Sequence, residues 1–309
     1  MSLTHTSFAG WKDCLRLAND RLEIVCATEA GPRLLRLGAP GDPNYFWSDP
    51  ATPGPCRDDN WHSYGGHRLW QAPEDRRRTY QPDNEPVSVT RLGERRLRLT
   101  GPLESATGLR KSLELWLHAR LPWVSVTHRL LNEGLWSIRL APWGISVMAP
   151  GGVAVLPLPP TVSHAEQVTP NRPVILWSYT NPSDSRLEWR ERDIRLRHAA
   201  TATTPAKIGM PGSGGCAWYL HPEFALVKTL SQQPGATYPD FGCAVEAYSC
   251  AQFVELETLG PLQLLAPGEA AVLQEDWLAL PASLPPLAEA ELTQLPLPLR
   301  RAHAERPEA

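Results

Sequence analysis

Apolar and polar residues alternate with a period of two along most of this chain, and this pattern limits the fold more than any other feature of the sequence. Residues 113–117, 124–127 and 253–259 show it clearly. Because side chains of a strand point alternately to its two faces, the pattern predicts strands. Residues 287–295 hold the one candidate for a helical apolar stripe. With 32 prolines and frequent turn signals, the chain is predicted to be all-β, as a sandwich or barrel.

The predicted strands form a single domain. The chain has 309 residues, which suits one large all-β domain, and no change of composition divides it. We expect this domain to cover residues 1–283. Residues 284–309 are rich in Pro, Ala, Glu and Arg and are predicted to form a short helix and a frayed tail. Hairpins are predicted over residues 15–27, turning at Asn19-Asp20, and over residues 87–100, turning at Gly93-Glu94.

Charge and composition argue against several classes of function. The chain has 30 basic and 33 acidic residues and a net charge of −3, which gives no electrostatic case for nucleic acid or an anionic membrane. No apolar run approaches the length of a membrane span. The N-terminus lacks the basic start and apolar core of a secretory signal, so a cytoplasmic location is expected. The oligomeric state is left open.

Metals and cofactors are not expected. The six cysteines are irregularly spaced and form no C-x-x-C pair, so reduced, buried thiols are the simplest expectation. The chain has no Walker loop, no G-x-S-x-G motif and no dinucleotide fingerprint. The run Gly212-Ser213-Gly214-Gly215 resembles a phosphate cradle, but no helix follows it, and a plain turn is the preferred interpretation.

Residues 253–262 form the predicted strand that carries the strongest candidates for acid or base chemistry. Glu255 and Glu257 lie two residues apart and therefore on one face, together with Phe253 and Leu259. A carboxylate beside apolar surface loses hydration, which raises its pKa and suits it to acid or base chemistry. The alternative interpretation is an edge strand with a wet face and two solubilising glutamates.

A second region of interest begins with a long loop rich in proline and glycine at residues 38–59. Loops of this length are uncommon unless they are functional or disordered. His67 and Arg68 follow it, directly after Gly65-Gly66, where paired glycines allow a close backbone approach to a ligand. Arg68 offers a planar fork for a carboxylate, phosphate or vicinal diol.

The same residues also have interpretations without a ligand. The alternative interpretation is a rigid loop in which His67 is hydrogen bonded to backbone and Arg68 pairs with Glu74. A metal site built on His62 and His67 matches no standard spacing. His128 is interpreted as a core histidine with satisfied hydrogen bonds. The 12 tryptophans suit both a β core and stacking platforms for sugar rings.

Two segments together resemble a known group of proteins. They are residues 65–74, with Gly65-Gly66-His67-Arg68-Leu69-Trp70 and Pro73-Glu74, and residues 238–269, from Tyr238-Pro239-Asp240-Phe241-Gly242 to Pro267-Gly268-Glu269. They resemble a domain-of-unknown-function family allied to the galactose mutarotase-like (aldose 1-epimerase) superfamily. The resemblance covers about residues 10–280. It implies a large antiparallel β-sandwich with a sugar site on its concave face.

The resemblance also implies roles for individual residues. Glu257, in Leu256-Glu257-Thr258, matches the general base of mutarotases. The segment that ends at Trp70 is similar to a substrate-binding loop, which supports Arg68 and, less directly, His67 as ligand contacts. The remaining predicted substrate-binding residues are Trp70, Trp143, Lys207, Asp240 and Glu255.

One departure from the family pattern leaves the activity open. Mutarotases carry an acid histidine in a strand near mid-chain, but residues 140–146 contain none. Mutarotation needs a base for the anomeric hydroxyl and an acid for the ring oxygen. The acid is therefore unassigned, and His67, from another strand, is the candidate to replace the missing histidine. The predicted function is acid–base isomerisation of a sugar or sugar derivative. The alternatives are a non-catalytic carbohydrate-binding protein and, third, a lyase or hydrolase acting on a uronic acid, with Arg68 and Lys207 as carboxylate partners.

Overall fold

The computed structural model describes residues 2–212 and 215–304. Two sequence predictions lie partly outside these residues. Ser213 and Gly214 belong to the predicted glycine turn, and residues 305–309 belong to the predicted tail.

The described residues form strands β1 to β21, three short helical segments and their connections. The strands are β1 (Ser2–Phe8), β2 (Trp11–Ala18), β3 (Glu23–Ala27), β4 (Arg33–Gly38), β5 (His67–Ala72), β6 (Ser88–Gly93), β7 (Arg96–Glu104), β8 (Leu109–Leu117), β9 (Trp123–Asn132), β10 (Ile138–Met148), β11 (Val153–Pro157), β12 (Ile175–Leu176), β13 (Leu187–Trp189), β14 (Asp193–Arg197), β15 (Ala206–Met210), β16 (Cys216–His221), β17 (Phe224–Leu230), β18 (Val245–Ser249), β19 (Val254–Leu259), β20 (Gln263–Leu265) and β21 (Ala270–Pro281). The helical segments are α1 (Pro239–Gly242), α2 (Glu289–Leu292) and α3 (Leu297–Ala304).

Two large antiparallel sheets pack face to face. The first has the order β1-β2-β3-β4-β5-β10-β19-β18-β15-β12, with β20 paired to β10, and the second has the order β13-β14-β11-β16-β17-β21-β9-β8-β7-β6. The main apolar core fills the space between them. The predicted all-β fold is thus confirmed in its sandwich form. Both predicted hairpins are present, as β2–β3 and β6–β7.

Strand β19 lies in the middle of the first sheet, between β10 and β18. Its alternation sends Val254 and Leu256 into the core between the sheets and Glu255 and Glu257 to the opposite face. The interpretation of β19 as a wet edge strand is therefore wrong. Glu257 is completely buried although it points away from the second sheet.

The paired glycines before β5 serve the fold directly. Gly65 and Gly66 have φ values of 77° and 71°. A Cβ on Gly65 would lie 2.1 Å from the Trp47 carbonyl oxygen, and one on Gly66 would lie 2.1 Å from that of Leu34. No side chain fits at either position. The close approach expected at these glycines is thus to neighbouring backbone. Gly65 packs against the long loop at Trp47, and Gly66 packs against β4 at Leu34.

The C-terminal segment packs on the outer face of the second sheet. Leu287, Leu295, Leu299 and Ala302 are buried there against an apolar cluster that includes Trp218. The described part of the predicted tail therefore covers apolar surface that β11, β16, β17 and β21 present away from the first sheet. No helix in the described residues is long and apolar enough to cross a membrane.

Candidate functional site

A cavity of about 750 Å³ opens on the face of the first sheet that points away from the second. Its aromatic lining residues are Trp47, Trp61, Trp70, Tyr80, Trp143, Trp177, Tyr179, Tyr248 and Phe253. Its charged lining residues are Asp49, Arg68, Glu74, Lys207 and Glu255. Large aromatic faces beside a few convergent charges are typical of a small-molecule site.

Neighbouring strands supply the floor of this cavity in register. Arg68 of β5 lies opposite Ile145 of β10, which in turn lies opposite Glu257 of β19. Glu257 is paired across the next ladder with Glu246 of β18. Side chains that lie directly opposite across a ladder are close neighbours. The two-residue period therefore gathers these charges on one face.

Arg68 is held between a carboxylate and two indole rings. Its Nη2 donates to Glu255 Oε1 at 2.9 Å. Its guanidinium carbon lies 4.6 Å from the centre of the Trp70 ring and 5.9 Å from that of Trp61. A cation over an aromatic face within about 6 Å is attracted to it. Arg68 pairs with Glu255 and not with Glu74, which accepts a hydrogen bond from Tyr80 at 2.6 Å.

Lys207 has a parallel arrangement with two carboxylates. Its Nζ lies 2.8 Å from Glu246 Oε2 and 2.8 Å from Glu257 Oε2. The same Nζ lies 4.6 Å from the ring centres of both Trp143 and Trp177. Trp143 also donates from Nε1 to Glu257 Oε2 at 2.8 Å.

We call five side chains together the floor cluster: Arg68, Lys207, Glu246, Glu255 and Glu257.

Burial and neighbouring charges shift the pKa values of Glu246, Glu255 and Lys207. Burial raises the pKa of Glu246 well above its usual value; Lys207 opposes this, and Glu257 adds to it. Burial also raises the pKa of Glu255, against the opposing effect of Arg68. Burial alone would lower the pKa of Lys207, but Glu246 and Glu257 outweigh it and hold that pKa well above its usual value. These shifts favour the charged form of Lys207 and oppose ionisation of Glu246.

Several buried polar atoms of the floor cluster lack a hydrogen-bond partner among the described residues. They are Nε and Nη1 of Arg68, Oε1 of Glu246 and Oε1 of Glu257. Buried polar groups in folded proteins are almost always hydrogen bonded, so unsatisfied groups call for an explanation. Arg68 lines the cavity, where a hydroxyl-rich ligand offers both donors and acceptors, whereas Glu246 and Glu257 lie beneath Lys207.

Two predicted site residues lie away from the cavity. His67 precedes Arg68 in β5, so its side chain points between the sheets, where it is completely buried. Asp240 belongs to the α1 turn, where its φ is 47° and its carbonyl oxygen accepts a hydrogen bond from the Cys243 thiol. The described residues that line the cavity do not include it. The other predicted residues, Arg68, Trp70, Trp143, Lys207, Glu255 and Glu257, come together.

His67 belongs to a second polar cluster, enclosed between the sheets. We call it the inter-sheet cluster, and its members are His67, His128, Ser146, Lys228, Thr258, Glu275 and Trp277.

A chain of hydrogen bonds with one consistent direction runs through the inter-sheet cluster. His128 Nδ1 lies 3.1 Å from the Leu273 carbonyl oxygen, which only accepts, so this nitrogen carries the proton. Nε2 of His128 then accepts from Nε2 of His67 at 2.7 Å, and Nδ1 of His67 accepts from the Ser146 hydroxyl at 2.9 Å. Burial lowers the pKa of both histidines, which agrees with two neutral rings.

The remaining members of the inter-sheet cluster satisfy one buried carboxylate. Lys228 Nζ lies 3.0 Å from Glu275 Oε2, and Thr258 and Trp277 donate to the same carboxylate. Gly144 leaves room for it, since a Cβ there would lie 2.7 Å from Glu275 Oε1. The prediction that His128 is a satisfied core histidine is confirmed.

Sequence reasoning missed several residues of the site. Glu246 stands in the apolar strand segment Val245-Glu246-Ala247, a signal that a carboxylate is buried. Trp61 and Trp177 lie outside regular strands in loops, where their side-chain direction has no period to predict it. Trp47 and Asp49 come from the long loop at residues 38–59, which thus forms one wall of the cavity.

Solved structures of known proteins share this architecture. A galactose mutarotase-like protein from Lactobacillus casei matches with a TM-score of 0.55 and 11% identity, over 86% of this chain and 99% of its own. A putative aldose 1-epimerase from Escherichia coli matches with a TM-score of 0.53 and 12% identity, over 86% and 98%. A putative mutarotase from Salmonella typhimurium matches with a TM-score of 0.55 and 10% identity, over 91% and 94%.

The chain has the galactose mutarotase-like fold. No protein-family model matches it, and no curated protein matches it in sequence. These structural matches establish a shared fold. At identities of 10–12%, they do not transfer the roles of individual residues to this chain. Within the galactose mutarotase-like fold, the site must therefore be interpreted from its own side chains.

Proposed function

We propose that the protein binds a carbohydrate in the cavity over the floor cluster. The observation that supports this most is the set of unsatisfied donors on Arg68, which lines a cavity rich in indole rings. Sugar hydroxyls both donate and accept, and the apolar faces of sugar rings pack on aromatic rings. Structural neighbours named as a galactose mutarotase-like protein and a putative aldose 1-epimerase add support for this ligand class.

A panel of sugars tests this proposal by thermal denaturation. A ligand at 100 times its dissociation constant stabilises the folded protein by about 2.7 kcal/mol, which raises the melting temperature visibly. We expect at least one class of sugar to do so at millimolar concentration. If no sugar in a panel of neutral, amino, acidic and phosphorylated monosaccharides raises the melting temperature, carbohydrate binding is disproved.

A pair of tryptophan variants locates the binding. Trp47→Ala removes an aromatic wall of the cavity, where the Trp47 ring lies 4.7 Å from that of Phe253. Trp136→Ala is the matched control, because Trp136 is 81% exposed and does not line the cavity. We expect sugar binding to weaken about tenfold in the first variant, from the typical value of one stacking contact, and to stay unchanged in the second.

Acid–base isomerisation of the bound sugar is the second candidate. It is favoured by Glu257 at the position of the predicted base, beside Glu246 with its raised pKa. Mutarotation needs a base and an acid, and this pair of neighbouring carboxyl groups offers one group for each role. Both side chains are completely buried beneath Lys207 and two indole rings. Because a sugar must displace this cover to reach them, we place binding first and catalysis second.

Glu257→Gln separates the two candidates. General-base catalysis contributes about 10²–10⁴-fold to a rate, so we expect the isomerisation rate by polarimetry to fall by that factor if Glu257 is the base. Sugar affinity should change much less, because glutamine keeps the shape and the acceptor for Trp143. An unchanged rate, or no turnover of any sugar that binds to the wild type, excludes the isomerase and leaves the binding protein.

A further inference from the structure

We propose that the cavity selects an amino sugar, with its ammonium group, over the neutral and acidic sugars of the same shape. This inference rests on the carbohydrate binding proposed above and adds the chemical class of the ligand. It follows from the balance of charges at the cavity, from the pairing of its cations and from the geometry of its aromatic rings.

Acidic groups outnumber basic groups around the cavity. Arg68 and Lys207 are the basic side chains among its described lining residues, whereas Asp49, Glu74 and Glu255 are acidic. Glu246 and Glu257 lie directly beneath Lys207. Even with Glu246 protonated, four carboxylates face two cations. A positively charged ligand therefore gains electrostatic energy on entering, and a negatively charged one loses it.

Each cation of the floor cluster already has a carboxylate partner, although Arg68 keeps two unsatisfied N–H donors. Arg68 already contacts Glu255, and Lys207 lies within 2.8 Å of two carboxylates. A uronic acid beside Arg68 would bring its carboxylate close to Glu255 as well. Like charges at short range in a buried site are strongly unfavourable. These contacts argue against the third sequence-based alternative, an enzyme acting on a uronic acid.

The aromatic lining suits an ammonium group. The Lys207 ammonium lies at 4.6 Å from two indole ring centres, so the cavity already holds one such group by this interaction. Further faces line the same space, including Tyr179, Tyr248 and Phe253. A cation is attracted to an aromatic face, and more strongly when it is desolvated. Glu74 is exposed at the cavity and gives the ammonium group a carboxylate partner.

Matched sugars test the inference by isothermal titration calorimetry of the full-length protein at pH 6, where a sugar amine is protonated. Glucosamine, galactosamine and mannosamine are each compared with the parent hexose and the N-acetyl derivative, and glucuronate and galacturonate represent acids. We expect one amino sugar to bind about tenfold or more tightly than its own parent and its N-acetyl form, following the strength of a desolvated cation–aromatic contact. Its affinity should fall as salt is added.

The possible outcomes separate this inference from the proposal beneath it. If a neutral hexose or its N-acetyl form binds as tightly as the amino sugar, or if a uronate binds more tightly, the inference is overturned and carbohydrate binding stands. If no sugar of any class binds, both are overturned. Both outcomes can be determined from binding to the wild-type protein alone.

A charge-neutral variant supplies the second measurement. Glu74→Gln removes one cavity carboxylate and keeps an acceptor for Tyr80. Glu94→Gln removes an exposed carboxylate from the β6–β7 turn, outside the cavity lining. We expect the first change to reduce the preference for the amino sugar by up to about fivefold, as for an exposed ion pair, and the second to leave it unchanged. Equal effects of both variants would contradict a local charge interaction.

Discussion

The two faces of the first sheet carry two buried charged clusters built from the same strands. In β5, His67 belongs to the inter-sheet cluster and Arg68 to the floor cluster. In β19, Thr258 likewise belongs to the inter-sheet cluster and Glu257 to the floor cluster. Each cluster holds a lysine that contacts carboxylate and tryptophan. They differ in completeness, and that difference separates a structural network from a site.

The hydrogen bonding of the inter-sheet cluster is complete. Lys228 pairs with Glu275, and none of the cluster's described side chains has an unsatisfied buried polar atom. The hydrogen bonding of the floor cluster is incomplete. Two glutamates share Lys207, and both Arg68 and Glu257 have buried polar atoms without a partner. A fully satisfied network specifies one packing arrangement, whereas an incomplete one costs stability unless a ligand completes it. From this comparison we propose a structural role for the first cluster and ligand binding for the second.

The largest expected effect comes from Lys228→Met, which leaves Glu275 as a buried charge without its cation. Removing one partner of a buried ion pair costs about 3–5 kcal/mol, and we expect the free energy of unfolding in urea to fall by that amount. Adding Glu275→Gln should recover part of the loss, since it removes the charge and its amide oxygen still accepts from one of the two donors, Thr258 and Trp277. A loss below about 1 kcal/mol in the single variant would break the comparison.

Lys207→Met should cost less stability than Lys228→Met. We expect a loss of about 2–3 kcal/mol at pH 8, below the usual range for buried pairs because the site borders a cavity. The loss should depend on pH. A carboxyl group whose folded pKa is raised above its ordinary value of 4.5 stabilises the fold at low pH, and this contribution disappears as pH rises through the raised pKa.

The Lys207→Met experiment is therefore a pair of urea titrations, at pH 8 and pH 5. Without Lys207, Glu246 and Glu257 repel each other when both are charged, so the variant should recover stability relative to wild type at pH 5. A deficit of equal size at both pH values would show that Lys207 acts through packing and not through its charge.

His67→Leu should reduce stability by about 2 kcal/mol and leave sugar affinity unchanged. The variant removes the acceptor of Ser146 and the donor to His128, and an unsatisfied buried group costs about 1–3 kcal/mol. Sugar affinity should persist because the ring points away from the cavity. Loss of binding or turnover in a variant that remains folded would restore His67 as the predicted acid and give the inter-sheet cluster a direct functional role.

The sequence predicted most of the fold because the two-residue period is a local property. It located β19, its faces and both hairpins. The pairing order of the strands could not be predicted from the sequence period, since contacts such as that of β19 with β10 join residues more than a hundred positions apart. For that reason the central position of β19, and with it the burial of Glu257, was not predictable from alternation alone.

The candidate site was predicted in part for a related reason. Arg68 and His67 are adjacent and share one motif, but a strand sends neighbours to opposite faces. A motif read as a unit therefore assigned both to the site, where only Arg68 lies. Trp61 and Trp177 reach the cavity from loops, and no period predicts the direction of a loop side chain.

The smallest expected change in stability, Arg68→Lys, sharpens the comparison most. Lysine keeps the positive charge beside Glu255 and the contact with Trp70, so we expect the free energy of unfolding to change by less than about 1 kcal/mol. It loses the planar fork and hence the free Nε and Nη1 donors. If those donors serve a ligand, sugar affinity should fall about tenfold, as for the loss of one hydrogen bond to a charged group. Arg98→Lys is the control, because Arg98 pairs with Glu114 on the second sheet. An affinity equal to wild type in Arg68→Lys would mean that the unsatisfied donors are not the ligand contacts, and the completeness of a cluster would no longer distinguish site from scaffold.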